Sequence, residues 1–406
     1  MRLDWLQRLI QRGCLRIHLQ QSGQTICLGE GQPEAAITMR NHRVLTRVLR
    51  NPDFALGDAY VDGDWWPQGH GLLPLFQLYF LNAPAGSGGS EGPGARLLRR
   101  LHRLMVERNG RRRARRNVQA HYDLDADLFR RFLDPELHYS CAYFPRPGMT
   151  LEAAQQAKCE HIARKLCLRP GDRVLDIGSG WGGLGRYLAE TRNVHVDGLT
   201  LSDDQYRESC RRATERGLDH RLRFFLRDYR EHRGCYDAIV SVGMFEHVGR
   251  PQYPVFFGTV ADLLADGGRV LLHSIGRSGP PADSDSWISR HVFPGGYIPA
   301  LSEVAGPLER SGLVLSDLEV WRRHYALTLR AWHQRFQAVR GEFRDRLGER
   351  FCRTWEFYLQ ACEALFTWGD LVVFQCQMAD ANDSVPLARD YLYQSELPES
   401  RFSASA

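Results

Sequence analysis

The sequence predicts an α/β fold with a doubly wound, mainly parallel sheet and a smaller N-terminal α+β domain. Strand-like runs alternate with helical runs from residue 173 onward, and a glycine-rich turn follows the first of them. The chain has 406 residues, more than the roughly 250–300 that one hydrophobic core usually holds. Sheets of this kind bind ligands at the carboxyl ends of their strands.

The N-terminal accessory domain is predicted to comprise residues 1–81. Strand-like runs "GCLRIHL" and "AAITM" precede a helical run that ends in "HRVLTRVLR". Residues 82–95, "NAPAGSGGSEGPGA", lack an apolar period and are typical of a flexible linker. The second domain, residues 118–406, carries a long helical insertion from about residue 326 to 366.

Residues 96–117 are predicted to form a basic amphipathic helix. They hold ten arginines and a single acid, Glu107, beside leucines at helical spacing. This composition is typical of a helix on an anionic membrane surface. An arginine-rich face that packs its leucines on a neighbouring domain is an equally open interpretation. Nucleic acid is disfavoured as a partner because no interleaved aromatic residues accompany the arginines.

The composition disfavours metal binding, disulfides and membrane-spanning segments. The ten cysteines never form CxxC and never lie near a histidine at metal-ligand spacing. The longest apolar stretch, residues 71–81, is too short to cross a bilayer, and the chain begins without a secretion signal. We therefore expect a cytoplasmic protein with reduced thiols and no metal.

A glycine loop follows the first strand of the second domain. In "VLDIGSGWGGLGRYLAE", Gly178, Gly180 and Gly183 match GxGxxG between a strand and a helix. Glycines allow the backbone to turn sharply and approach a ligand closely. The motif alone is weak, since several nucleotide-like cofactors use it.

Polar residues around the loop favour S-adenosylmethionine over a dinucleotide. Asp176 would repel a pyrophosphate but suits the ammonium group of methionine. The second strand ends in "GLTLSDDQ", with Thr200 and Ser202 near the place where a ribose-binding acid would stand. The third ends in "RDYR", where Asp228 offers an acceptor for an adenine amine.

Two further polar residues fall at the ends of adjacent strands. Glu246 follows the fourth strand in "MFEHVG", and His273 ends the fifth in "HSIG". An acid and an imidazole converging beside the cofactor form a candidate acid–base pair or anion-binding site. Taken alone, Glu246 could be a capping residue and His273 a hydrogen-bonded residue of the core, with no catalytic role for either.

Long, ordered motifs resemble the cyclopropane-fatty-acyl-phospholipid synthase family, including mycolic-acid cyclopropane synthases and related fatty-acyl C-methyltransferases. They include "NVQAHYDLDADLFRRFLDPELHYSCAYF", "GLTLSDDQ", "WISRHVFPGGYIPALSEV" and "HYALTLRAW", and the resemblance runs from about residue 117 to 378. It implies a Rossmann-like S-adenosylmethionine-dependent methyltransferase whose helical insertions bind lipid. The implied reaction adds a methylene to a cis double bond of a phospholipid acyl chain, with bound bicarbonate as proton acceptor.

The resemblance also implies site residues. The bicarbonate site would be formed by Cys141, Glu246, His273, Ile275 and Tyr325. Cofactor contacts would fall on Tyr139 and Ser140, on the glycine loop, on Thr200 to Gln205, and on Asp228 with Tyr229. The family's active-site cysteine corresponds to Cys362, but "LQACEALF" offers no basic neighbour to lower its pKa, so a buried helix cysteine is favoured.

The resemblance further implies a protein at the inner face of the membrane and a possible homodimer. A methyl or methylene branch instead of a ring is the near alternative. A nucleic-acid or small-molecule methyltransferase predicts a loop such as Asn/Asp-Pro-Pro-Tyr after the fourth strand, where "GMFEHVG" stands instead. A non-catalytic lipid-binding protein predicts loss of Glu246, His273 or the glycine loop, and all three are present.

Overall fold

The computed structural model describes residues 9–69, 71–83, 126–282 and 286–393. The predicted basic helix, residues 96–117, lies outside the described residues, as does the predicted linker after residue 83. The linker was predicted to begin at Asn82, but this residue ends a helix, where its amide donates to the Leu78 carbonyl at 2.9 Å.

The described secondary structure follows the predicted order. The strands are β1 (Gly13–Leu19), β2 (Thr25–Glu30), β3 (Glu34–Met39), β4 (Trp65–Pro67), β5 (Arg173–Ile177), β6 (His195–Thr200), β7 (Leu222–Leu226), β8 (Tyr236–Val242), β9 (Leu264–Arg277), β10 (Val314–Trp321) and β11 (Leu371–Ala379). The helices are α1 (His42–Arg50), α2 (Pro52–Val61), α3 (Leu73–Asn82), α4 (Ala126–Phe132), α5 (Leu151–Lys165), α6 (Gly183–Arg192), α7 (Asp203–Glu215), α8 (Tyr253–Leu263), α9 (Trp287–His291), α10 (Leu301–Glu309), α11 (His324–Leu347) and α12 (Glu349–Thr367).

Two compact units make up the chain. The described residues of the first unit are those up to 83, residue 282, and residues 286–294 and 325–371. The second unit contains residues 126–281, 295–324 and 372–393. The first unit therefore includes two segments that the sequence-based division placed in the second domain.

The second unit contains the predicted sheet. Its seven strands lie in the order β10-β11-β9-β8-β5-β6-β7, and β5 pairs in parallel with both β6 and β8. In the described residues, β6 with β7 and β8 with β9 are also parallel pairs, whereas β10 and β11 run antiparallel. The chain therefore crosses from one side of β5 to the other, which makes its carboxyl end the switch point where such folds bind ligands.

Both faces of this sheet are covered. On β5, Val174 packs into one apolar cluster while Leu175 and Ile177 pack into another, because successive side chains point to opposite faces. Strands buried on both faces are continuous apolar runs, and this is why "RVLDI" and "YDAIVSV" were predicted correctly.

The first unit has a four-stranded sheet in the order β2-β1-β3-β4, with β1 parallel to β3. Helix α1 begins where Asn41 accepts hydrogen bonds from the backbone N–H groups of Arg43 and Val44, a normal N-cap.

Glu356 on α12 links α2 to α11 inside this unit by hydrogen bonds. It is 7% exposed and accepts from Tyr60 Oη at 3.1 Å and from Arg340 Nε at 2.7 Å.

The described residues contain no helix that is long and apolar enough to cross a membrane.

Glu356→Ala should lower the free energy of unfolding by about 2–4 kcal/mol, because it leaves the Tyr60 hydroxyl and part of the Arg340 guanidinium without an acceptor. Glu349→Ala is the matched control: it removes another acidic partner of Arg340, but one whose side chain is 45% exposed, so the loss should stay below about 1 kcal/mol. Urea unfolding followed by tryptophan fluorescence measures both. Equal losses would show that Glu356 has no special role in this unit.

Candidate active site

The glycine loop joins β5 to α6 with a left-handed backbone. Gly178, Gly180 and Gly182 have φ angles of 85°, 54° and 76°, which residues with a Cβ rarely adopt. A Cβ added to Gly178 would also lie 2.6 Å from the Cβ of Met244. The loop therefore needs glycine for its conformation and for the closeness of its neighbours.

Gly183, the first residue of α6, meets a different requirement. A Cβ on it would lie 2.6 Å from the backbone carbonyl oxygen of Glu136. The absence of a side chain lets the segment around Glu136, which leads to His138 and Ser140, approach the start of the helix.

One pocket in the second unit gathers most of the predicted cofactor-binding residues. Lining it are Tyr139, Ser140, Asp176, Gly178, Gly180, Gly183, Thr200, Gln205, Asp228 and Tyr229. Ser202 is not among the lining residues. Its hydroxyl accepts from the backbone N–H of Gln205 at 3.3 Å and caps α7, which positions Gln205; a direct cofactor contact of Ser202 stays a prediction.

Asp176 is one of the charged residues that line this pocket. Its side chain is 2% exposed, and Oδ2 has no hydrogen-bond partner in the described residues. Burial raises its pKa to about 7, against the opposing effects of Lys158 and His138. A buried carboxylate without a donor suits a cationic ligand group, and the ammonium of S-adenosylmethionine fits this requirement.

The other side of the pocket is formed by the ends of β6 and β7. Thr200 Oγ1 donates to Gln205 Oε1 at 2.8 Å, which orients that amide. The Asp228 carboxylate is held by Arg230, with Nε 2.8 Å from Oδ1 and Nη2 2.6 Å from Oδ2. Asp228 was predicted to accept a hydrogen bond from the adenine amine, and in the structure its carboxylate also forms an ion pair with Arg230. The Tyr229 ring packs into the apolar core.

A short segment before α5 carries Tyr139 and Ser140 to the pocket, and Cys141 follows them in the chain. Asp134 shapes it: Oδ1 accepts from the backbone N–H of His138 at 2.9 Å, and Oδ2 accepts from His138 Nδ1 at 2.8 Å. The preceding residue, Leu137, has a φ angle of 60°, in the left-handed region. These hydrogen bonds hold a backbone turn that is unfavourable by itself.

Within this segment Ser140 and Cys141 differ in their surroundings. Ser140 Oγ accepts from Lys158 Nζ at 2.9 Å. Cys141 is fully buried, and its thiol donates to the Ala142 carbonyl at 3.4 Å. Cys141 does not line the donor pocket, and its place in the bicarbonate site stays a prediction from the resemblance.

Glu246 lies in a short turn after β8, and Ile275 lies on the adjacent strand β9. The backbone N–H of Ile275 donates to Glu246 Oε1 at 2.6 Å, while Oε2 is buried without a partner in the described residues. Burial raises the pKa of Glu246 to about 7, opposed by hydrogen bonds that include that of Ile275. The structure therefore brings these two predicted residues together, with Ile275 orienting the carboxyl group.

His273 is also buried on β9, where its ring centre lies 5.3 Å from that of Trp321 and the two ring planes are almost perpendicular, at 88°. Burial lowers its pKa to about 3, aided by Lys158 and Lys165, so the imidazole is neutral. The amide Nε2 of Gln375 donates to His273 Nδ1 at 3.0 Å. In this arrangement Nε2 of the imidazole carries the hydrogen and can donate to an anion.

The remaining two predicted residues belong to the first unit. The centre of the Tyr325 ring lies 4.8 Å from the centre of the Phe366 ring. The place of Tyr325 in the anion site stays a prediction from the resemblance. Burial raises the pKa of Cys362 to about 12, so at neutral pH it is a thiol. This favours the interpretation of Cys362 as a buried helix cysteine.

Sequence reasoning missed Asp134, Lys158, Arg230 and Gln375. Lys158 lies in a helix and Gln375 in a strand, and neither the charge nor the amide gives a sign of burial, while Asp134 lies in the loop after α4. Only Arg230 carried a signal, since "RDYR" places arginines on both sides of the predicted Asp228.

The described residues contain no group of three or more His, Cys, Asp or Glu that could hold a metal.

Comparison with known proteins identifies the family of this chain. The family model described as mycolic acid cyclopropane synthetase matches residues 109–376. The chain belongs to the mycolic acid cyclopropane synthetase family. This confirms the resemblance seen in the sequence. The matched range contains the glycine loop, Glu246, His273 and the segment around Cys141.

Three members or solved structures illustrate the similarity. Cyclopropane-fatty-acyl-phospholipid synthase of Escherichia coli (strain K12) is 38% identical over 85% of this chain and 88% of its own length. Tuberculostearic acid methyltransferase UfaA1 of Mycobacterium tuberculosis (strain ATCC 25618 / H37Rv) is 39% identical over 91% of this chain and 89% of its own. The crystal structure of mycolic acid cyclopropane synthase CmaA1 complexed with SAH and CTAB has a TM-score of 0.62, 35% identity, and covers 65% of this chain and 98% of that one.

This cyclopropane synthetase family member is therefore an S-adenosylmethionine-dependent C-methyltransferase with a Rossmann-like fold. The predicted fold class, enzyme class and methyl donor are confirmed.

Gly178→Ala should weaken binding of SAH, the demethylated form of the donor, at least about tenfold, because the new Cβ meets Met244 and the loop must shift. Gly217→Ala is the matched control, since Gly217 has a φ angle of 66° but no atom within 4 Å of an added Cβ. Calorimetry on both variants compares them. Equal affinities would mean that the loop does not approach the ligand.

Proposed function

We propose that this enzyme transfers a methylene, derived from the methyl of S-adenosylmethionine, to the cis double bond of an acyl chain of a membrane phospholipid. The product is a cyclopropane fatty acid, and bound bicarbonate accepts the proton. The observation that carries the proposal is the burial of both Glu246, in the turn after β8, and His273, on the adjacent strand β9, in the sheet whose switch point forms the donor pocket. The extent of similarity to the Escherichia coli synthase supports the same substrate class.

The residues of the donor pocket recognise S-adenosylmethionine. When bound, S-adenosylmethionine supplies an electrophilic methyl group on a sulfonium. Asp176 neutralises positive charge, and the glycine loop lets the backbone come close. Thr200, through Gln205, and Arg230, through Asp228, fix polar groups at the opposite side. The chain thus holds the donor by groups that are already oriented, which reduces the entropy lost on binding.

The anion site is formed by residues that can meet a bicarbonate ion. His273 is neutral and offers a hydrogen on Nε2, and the Glu246 carboxyl group with a pKa of about 7 is partly protonated near neutral pH. Glu246 Oε2 lacks a partner in the described residues, so it is available for an added ligand. Ile275 acts through its backbone by holding Glu246. The fully buried Cys141 contributes to the wall.

These residues also exclude water. An alkene is a weak nucleophile, and a dry, apolar surrounding prevents competing attack by solvent on a cation-like species. Trp321 covers His273 from one side, and both residues are buried. We infer that the acyl chain reaches this site with its headgroup outside, so the enzyme works while bound peripherally at the inner face of the membrane.

The basic helix of residues 96–117 would provide the membrane attachment by charge attraction to anionic lipid. We further propose that nucleic acid is not a partner and that a homodimer is possible for this family. These statements rest on composition and on the resemblance.

A second candidate function is transfer that leaves a methyl or methylene branch. The similarity to tuberculostearic acid methyltransferase UfaA1 over 91% of this chain favours it. Ring and branch differ in which proton is lost, and this depends on the position of the base to within an ångström or two.

Product analysis separates these functions. Purified protein is incubated with methyl-labelled S-adenosylmethionine and vesicles of cis-unsaturated phospholipid, with and without bicarbonate, and the fatty-acid methyl esters are analysed by mass spectrometry. We expect a bicarbonate-dependent product heavier by one CH₂ that takes up no hydrogen on mild hydrogenation. Uptake of hydrogen would indicate a methylene branch, which becomes a methyl branch only when a separate reductase adds hydrogen from a hydride donor that this assay does not contain. Unlabelled lipid would reject the proposed substrate.

Glu246→Gln tests the anion site in the same assay. The glutamine keeps an acceptor for Ile275 but has no ionisable proton, so turnover should fall about 100-fold or more while SAH affinity stays within about twofold. Parallel losses of turnover and SAH affinity would instead place Glu246 in the donor pocket.

A further inference from the structure

Two lysines of α5 are buried, and their surroundings differ. Lys165, fully buried, has its Nζ 2.6 Å from Glu319 Oε2 in an ion pair. Lys158, 1% exposed, donates to Ser140 Oγ, and no carboxylate lies within 4 Å of its Nζ in the described part of the chain. A buried ammonium with an incomplete set of partners is costly unless a ligand completes it.

Lys158 lines the same pocket as Asp176, and the two side chains have opposite charge. They attract each other electrostatically, yet they form no ion pair within 4 Å in the described residues. Asp176 Oδ2 has no hydrogen-bond partner there either. Two opposite charges that face one pocket without pairing are complementary to a zwitterion, which carries an ammonium and a carboxylate on one carbon.

Ser140 extends the positive end of this arrangement. Because its oxygen accepts from Lys158, its own hydrogen is available to donate to another group. Gln155, which lies on α5 together with Lys158, donates to the Ser140 carbonyl at 3.0 Å and holds Ser140 in place. A carboxylate in the pocket could therefore receive hydrogen bonds from the Ser140 hydroxyl and from the remaining hydrogens of Lys158.

We propose that Lys158, together with the Ser140 hydroxyl, binds the carboxylate of the amino-acid end of S-adenosylmethionine, while Asp176 binds its ammonium. Lys158 is then a cofactor-binding residue that selects ligands with an intact amino-acid group. The inference rests on the proposed function only in taking this pocket as the donor site.

The test compares truncated ligands in calorimetry. SAH has both charged groups, decarboxylated S-adenosylmethionine keeps only the amine of that end, and 5′-methylthioadenosine lacks both. Lys158→Met should weaken SAH binding about 10- to 100-fold and leave the affinity for the other two within about twofold. Asp176→Asn should weaken SAH and the decarboxylated ligand but spare 5′-methylthioadenosine.

Lys165→Met is the matched control, because it removes the other buried lysine of α5, which does not line the pocket. It should leave all three affinities unchanged even if it lowers stability. The inference is overturned if Lys158→Met weakens all three ligands equally, or if it leaves SAH binding unchanged. The lipid product assay is independent of this result: a normal product with SAH affinity unaffected by Lys158→Met rejects this inference alone, whereas the expected ligand pattern without any lipid product rejects the proposed function alone.

Discussion

The burial of two carboxyl groups without full sets of hydrogen-bond partners is the constraint on which the site depends. Asp176 lies on β5 and Glu246 follows the neighbouring strand β8, and each has an oxygen that no described residue satisfies. Burying a carboxylate in this way costs several kcal/mol unless it takes up a proton or binds a donor. The free protein meets this cost by raising the pKa of both groups to about 7. The two groups are therefore ready to exchange a proton for a ligand, a cation at Asp176 and an anion that accepts a hydrogen bond at Glu246.

The sheet makes this arrangement possible. Apolar layers cover both faces of β5, so polar chemistry is confined to the strand ends, where the glycine loop and the turn after β8 leave backbone close to a ligand. A second layer of polar residues orients the groups in the site. Asp134 holds the segment before α5, Ile275 holds Glu246, and Gln375 sets the tautomer of His273. Such fixed partners allow neutral His273 and poorly solvated Glu246 to coexist in a dry site without rearrangement during binding.

Much of the fold and of the donor site followed from local sequence. Mainly apolar runs identified β5 and β8, and the glycine loop identified the ligand-binding turn because its left-handed backbone requires glycine. Lys158 could not be predicted, since "EAAQQAKCEHIARK" is as charged as a solvent-exposed helix and only tertiary packing buries it. The same limit applies to the first unit: Glu356 is more than 290 residues from Tyr60 along the chain, and no local pattern indicates their hydrogen bond. The cap that Ser202 forms on α7 could not be told from a ligand contact in the sequence, because a serine that caps a helix and a serine that contacts a ligand occupy the same place after a strand.

The most direct test of this account is a ¹³C NMR titration of protein labelled at its aspartate and glutamate carboxyl groups, with Asp176→Asn and Glu246→Gln used to assign the two signals. The account predicts that both groups titrate near pH 7 in the free protein, well above the usual value of about 4, and that saturating SAH lowers the pKa of Asp176 because the ligand ammonium favours its ionised form. With pKa values raised by folding, both groups contribute stability at low pH that is lost as the pH rises through 7. Titration of both groups near pH 4, or an Asp176 signal that does not respond to SAH, would contradict it.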